Sequence, residues 1–162
     1  MADEEANPSS PSDSASPRPG AGARRVAEQL SEAECMELLA NAGVGVGRLV
    51  YNSRYGPTAL PVAYKVDAGS IVLGTWDPVI DEDLRTGIEN AEYHVAVEAD
   101  QIDLEAREGW TVLVYGAAHH LDTETERAPL IGAGLEPWSE EIPAHFIRVT
   151  PTHIWGGRAR RA

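Results

Sequence analysis

A chain of 162 residues and 17.4 kDa has room for one hydrophobic core and a tail. Its 26 acidic against 13 basic residues leave a net charge of −13, which argues against a nucleic-acid partner, because phosphate backbones demand a basic face. A single cysteine cannot form an intrachain disulfide, and no apolar run approaches the about 20 residues that span a bilayer, so a cytoplasmic protein without a membrane partner is expected.

Residues 1–26 form a Pro/Ser-rich tail, with Pro8, Pro11, Pro17 and Pro19 among small residues; it cannot bury enough apolar area to offset ordering entropy and is expected to be disordered. The folded domain is placed at 27–158, with 159–162 a short basic C-terminal tail. Ser31 as N-cap and Glu34 three residues on predict a helix over 31–41, with Met36, Leu38, Leu39 and Ala40 on its buried side and Gly43 as its stop. Cys35 has no basic neighbour within this helix and reads as a buried structural thiol.

Strands are expected at 44–51, 58–66 and 70–75. Pro61 argues for an edge or bulge, and Asp67-Ala68-Gly69 for a hairpin turn. Residues 78–91 read as a helix, 93–100 and 110–118 as strands, the region around 123–131 as a short helix, and 144–155 as a closing strand pair. The stretch Gly109-Trp110-Thr111-Val112-Leu113-Val114-Tyr115-Gly116 carries the strongest pattern. Trp110, Val112 and Val114 share one face, Thr111, Leu113 and Tyr115 the other, and both faces are largely apolar. About six strands with interspersed short helices predict a β-barrel with flanking helices, an α+β arrangement rather than a parallel βαβ one.

The five histidines show no metal-ligand spacing, and the neighbours His119 and His120 point to opposite faces of a strand, so no metal site is expected. Glu98 and Asp100 share a strand face about 7 Å apart. Asp100 and Asp103 are read as turn and capping residues and Glu98 as the partner of an arginine. Trp76, Trp110, Trp138 and Trp155 each stand at a strand end or in a loop, where an aromatic walls a pocket as often as it plugs a core.

Taken in order, Glu98/Asp100/Asp103, Gly109 to Gly116, Pro137-Trp138 and Arg148/Pro151/Ile154/Gly156 with Arg158 resemble the flavin-binding split-barrel proteins of the pyridoxamine 5'-phosphate oxidase type. The nearest branch in pattern is the small bacterial one that includes nitroimidazole-resistance-like proteins, and the resemblance covers roughly residues 31–158. It implies an FMN-binding split barrel, a homodimer with FMN in the crevice between protomers, and flavin-mediated redox on a small-molecule substrate. It also implies Thr75, Trp110, Thr111, Trp138 and Arg158 as cofactor-binding residues, with Trp76, which departs from the family's aromatic positions, added as a candidate beside Thr75 and no catalytic side chain assigned. Deazaflavin and haem are lesser alternatives within the family's breadth.

The chain departs from the family after the third strand. An Arg is replaced by Gly74 and a Lys position is lost to the acidic run Asp77, Asp81, Glu82 and Asp83, which would repel a phosphate; Arg85 and the following helix N-terminus would offset part of this. The alternative reading is therefore a non-enzymatic dimeric barrel that has lost FMN and binds another ligand or a protein partner.

Overall fold

The computed structural model describes residues 28–85, 92–135 and 145–160. Seven antiparallel strands alternate with three short helices: β1 (Glu28–Gln29), α1 (Glu32–Asn41), β2 (Val44–Ser53), β3 (Gly56–Asp67), β4 (Ser70–Thr75), α2 (Pro78–Asp83), β5 (Tyr93–Asp103), β6 (Glu108–His120), α3 (Glu124–Arg127) and β7 (His145–Ala159). The order is β1-β7-β4-β3-β2-β5-β6, and β6 returns to β7, so β2 to β7 close a ring of six while β1 adds two residues to the end of β7. Closure depends on the length of β7. Its first residues pair with β4, and from Ile147 to Ala159 it also runs against β6.

Alternate residues of each strand fill the barrel: Leu49, Val62, Ile71, Leu73, Val97, Val112, Val114, Ile147 and Val149 are all 2 % exposed or less. Burying each such side chain contributes about 1.5–3 kcal/mol. Helix α1 starts at the expected capping box, in which the Ser31 hydroxyl accepts from Glu34 N and Glu34 accepts from Ser31 N. Cys35 and Leu39, one turn apart, are its buried residues, while Ala40 is exposed, because an amphipathic helix this short buries only an i, i+4 stripe. Cys35 Sγ occupies the space over Gly156, where an added Cβ would lie 2.4 Å from it. Burial pushes the thiol's pKa up, in keeping with a structural cysteine.

The hairpin between β3 and β4 turns on Ala68 (φ 48°) and Gly69 (φ 76°), the left-handed pair of a two-residue turn. Pro61 lies in the half of β3 that pairs with β2 alone, so its missing N–H faces no second strand.

Three expectations are corrected. The closing strand pair is the single strand β7; it passes Pro151 by a bulge that leaves Thr152 unmatched, where β4 no longer pairs with it. Helix α2 ends at Asp83, with Leu84 as its C-cap, and residues 86–91 lie outside the described residues. Asp100 sits inside β5 opposite Thr111 rather than in a turn, because β5 and β6 stay paired as far as Asp103↔Glu108. The tail 1–26 also lies outside the described residues. No described helix is long and apolar enough to cross a membrane.

Candidate functional site: the tryptophan cleft

Since Val112 and Val114 point into the barrel, Thr111, Leu113 and Tyr115 point out of it. Register then fixes the outward residues of β7: Thr111 pairs with Gly157, Leu113 with Trp155 and Tyr115 with His153. At the far end of this face the β5–β6 hairpin overhangs β7. A cleft of about 320 Å³ opens there, walled by Trp110, Trp155, Ile102 and Leu104 and floored by Thr111 and Gly157. Gly157 has no side chain to fill the space. Trp110 packs against the barrel core, and its Nε1 donates to Gln101 Oε1 at 3.3 Å. The hairpin tip is held by Asp103, whose Oδ1 accepts from Ala106 N at 2.8 Å, so the capping role expected of Asp103 is its actual one. On the other side of Trp110 a second hollow of about 310 Å³ carries Arg158, Arg160 and Gln101. The arrangement is an apolar slot for a flat ring with cations at its margin.

Further along the outward face, Arg48, Glu98, Leu113 and Trp155 form one row across β2, β5, β6 and β7. Burial raises the Glu98 carboxyl above the usual carboxylate range, and Asp100 raises it further by its charge and a hydrogen bond, while Arg48 opposes both. Arg48 is thus the arginine expected beside Glu98. Beyond this row a groove of about 330 Å³ is lined by Val50, His94, Ala96 and Tyr115.

The corner between β4 and α2 is built differently. Thr75 is 5 % exposed, and its hydroxyl accepts from Asp77 N at 3.1 Å; Asp77 in turn caps α2 by accepting from Val79 N. A Cβ on Gly74 would lie 2.6 Å from the Leu135 carbonyl, so a side chain at that position would displace backbone. Asp81 points inward. Its carboxylate accepts from Arg85 Nε and Nη2 at 3.0 and 3.2 Å and from His120 Nδ1 at 2.9 Å, with His145 Nδ1 at 3.5 Å. Arg85 also donates from Nη1 and Nη2 to Asp122, and these two carboxylates hold its guanidinium protonated. The acidic run therefore does not face a ligand as one negative patch, and Arg85 is not available to offset it. His119 meets Glu126 at 3.3 Å, and no described group of three or more side chains could hold a metal.

Of the residues expected to bind a cofactor, Trp110, Thr111 and Arg158 meet around the two adjoining hollows. Thr75 and Trp76 do not join them. Thr75 pairs with His145 and Trp110 with Arg158, at opposite ends of β7, which puts about 40 Å of strand contour between the two groups. Trp138 lies outside the described residues. Trp155 and Gly157 were not among the expected site residues. The alternation His153, Trp155, Gly157 was the signal for them, but reading β7 as a strand pair ending at 155 hid their register with β6.

A closed six-stranded antiparallel ring capped by one helix is the split barrel of flavin-binding proteins. The chain belongs to the pyridoxamine 5'-phosphate oxidase family, whose model matches residues 31–158. It is 31% identical over 137 residues to the uncharacterized protein Rv0080 of Mycobacterium tuberculosis, covering 84% of this chain and 87% of that one. Among solved structures it is similar to an FAD binding protein from Mycobacterium smegmatis, at 30% identity and a TM-score of 0.62, covering 82% of this chain and all of the other. It also shares its fold with a putative 5-nitroimidazole antibiotic resistance protein from Bacteroides thetaiotaomicron, at 9% identity and a TM-score of 0.60, over 81% of this chain and 86% of that one.

Proposed function

We propose that the protein is a flavin-nucleotide-dependent oxidoreductase that acts on a small molecule, works as a homodimer, and resides in the cytoplasm. The observation that carries this reading is the apolar cleft lined by Trp155, Ile102 and Leu104 at the end of an outward sheet face, with Trp110 and Arg158 in the adjoining hollow, in a chain of this family. The FAD binding relative at 30% identity supports a flavin nucleotide as the ligand. Bound flavin supplies the hydride or electron transfer. The chain's part is to hold and desolvate it: Trp155 with Ile102 and Leu104 excludes water from a ring, Thr111 offers a hydroxyl, and Arg158 in the adjoining hollow offers a cation.

Dimerisation is supported by the outward face itself. Val46 is 59% exposed, and the half-buried Val50, Leu113, Tyr115 and Trp155 continue an apolar band that one barrel does not fully cover.

A second reading, a barrel that has given up flavin for another ligand or a partner protein, is favoured by the corner at Gly74 and Arg85, where the arginine is engaged by the carboxylates of Asp81 and Asp122. Thermal-shift titration with FMN and FAD separates the two. A flavin at a hundred times its dissociation constant should add about 2.7 kcal/mol of stability. No shift with either flavin, from a protein that purifies colourless, would leave the second reading in place.

A further inference from the structure

We propose that Glu98 is a proton-linked contact of the dimer: each protomer takes up a proton there as the two outward faces close, so the dimer tightens as pH falls. This rests on the homodimer reading above and assigns a residue and a sign to it.

Glu98 stands within the outward face, in the row Arg48, Glu98, Leu113 and Trp155 that crosses β2, β5, β6 and β7. Val46 lies two residues before Arg48 on the same face of β2, and Val50 and Tyr115 belong to the next row. The carboxyl is thus set among apolar side chains and is half-buried within one protomer. A second copy laid on this face removes water that the charged form needs.

Charge along the row does not balance. Asp100 projects from the same face of β5 two residues on, and its carboxyl shares a hydrogen bond with that of Glu98. Two ionised carboxylates are both acceptors, so this bond requires a proton on one of them. Arg48 faces Glu98 from β2 as its cation, while β6 presents Leu113 and Thr111, and β7 presents Trp155. One arginine against two carboxylates leaves a negative charge unmatched in each protomer, and a twofold axis brings two such charges together.

Burial already raises the Glu98 carboxyl within one protomer; Asp100 adds to the rise and Arg48 opposes it. Closing the face deepens the largest of these effects. A group that titrates higher in the dimer than in the monomer binds its proton on assembly. The gain is complete at low pH and is lost as pH rises through the dimer's value. His94, one row beyond Ala96 on β5, and His153, opposite Tyr115 on β7, share the outward face. Whatever they add remains when Glu98 is replaced.

The test is the dimer dissociation constant of the full chain, from sedimentation equilibrium between about pH 8 and about pH 5.5, above the ordinary carboxylate range. Salt is held at about 0.3 M to screen the long-range repulsion of a chain of charge −13. Two protons taken up per dimer give at most about a hundredfold per pH unit, and a tightening of about tenfold or more over the range is expected. Glu98→Gln, neutral at every pH, should dimerise at the upper pH at least as tightly as wild type at the lower one. Its constant should lose most of the pH dependence. Dilution calorimetry of the wild type in two buffers of different ionisation enthalpy should also show protons released as the dimer dissociates, so the test stands if the variant folds poorly. A wild-type constant that does not tighten as pH falls, a dissociation that releases no proton, or a Glu98→Gln variant with the wild-type pH dependence would overturn the inference and leave the dimer standing. A chain that is monomeric at every pH would overturn both.

Discussion

Replacing Gly116 by valine should destabilise the barrel by about 3 kcal/mol or more. A Cβ at this position would lie 2.1 Å from the Thr150 carbonyl oxygen and 2.8 Å from its carbon, and both are backbone atoms of the neighbouring strand. They cannot rotate away as a flexible side chain would. The contact falls beside the bulge where the register between β6 and β7 shifts, so relief requires opening the longest pairing in the structure. Overpacking a core costs about 1–3 kcal/mol where side chains can adjust, and more where the backbone must move. The melting temperature should fall by roughly 10 °C or more. A valine variant that melts within a degree or two of the wild type would mean that β6 and β7 do not approach as described.

The second large effect is expected at Asp81→Lys. Read from sequence, Asp81 belongs to an acidic surface run, and on a chain of charge −13 a lysine there should be neutral or stabilising. The structure requires the opposite. Asp81 is 9% exposed and accepts from Arg85 and His120, with His145 close by. A lysine would remove the acceptor shared by Arg85 and His120 and place an ammonium beside the Arg85 guanidinium. Removing one member of a buried ion pair costs about 3–5 kcal/mol, and the partial exposure of Arg85 puts the expectation near the lower figure. Asp81→Asn, which keeps the shape and one acceptor, should lose less than half as much. Urea denaturation of the three proteins measures this. A lysine variant as stable as wild type would return Asp81 to the surface.

The two sites show where a sequence informs and where it stops. Period-two alternation sorted Val112 and Val114 from Thr111 and Leu113 without a structure, and the capping box at Ser31 and Glu34 placed α1 to the residue, because both signals are local. Pro61 marked a one-sided strand for the same reason. What pairs with what is not local. Trp155 enters the cleft only through its register with Leu113, and that register depends on β7 continuing through Pro151 by a bulge. Reading residues 144–155 as a strand pair ended the strand before its last residues and left Trp155 outside the site. The acidic run after β4 failed differently: charge along a sequence does not tell which carboxylate turns inward, and Asp81 does so because His120 and His145, far along the chain, lie opposite it. Thr75 was grouped with Trp110 through family resemblance, and only the pairing of β7 shows that they lie at opposite ends of one strand.

We propose that this barrel binds a flavin nucleotide as a dimer through its outward face. Sedimentation velocity of the full chain with FAD, recorded at once in the protein's ultraviolet band and the flavin's visible band, tests both parts together. One boundary carrying both signals is expected at twice the 17.4 kDa chain mass. A boundary at the single-chain mass, with the visible signal left behind among the small molecules, would contradict it.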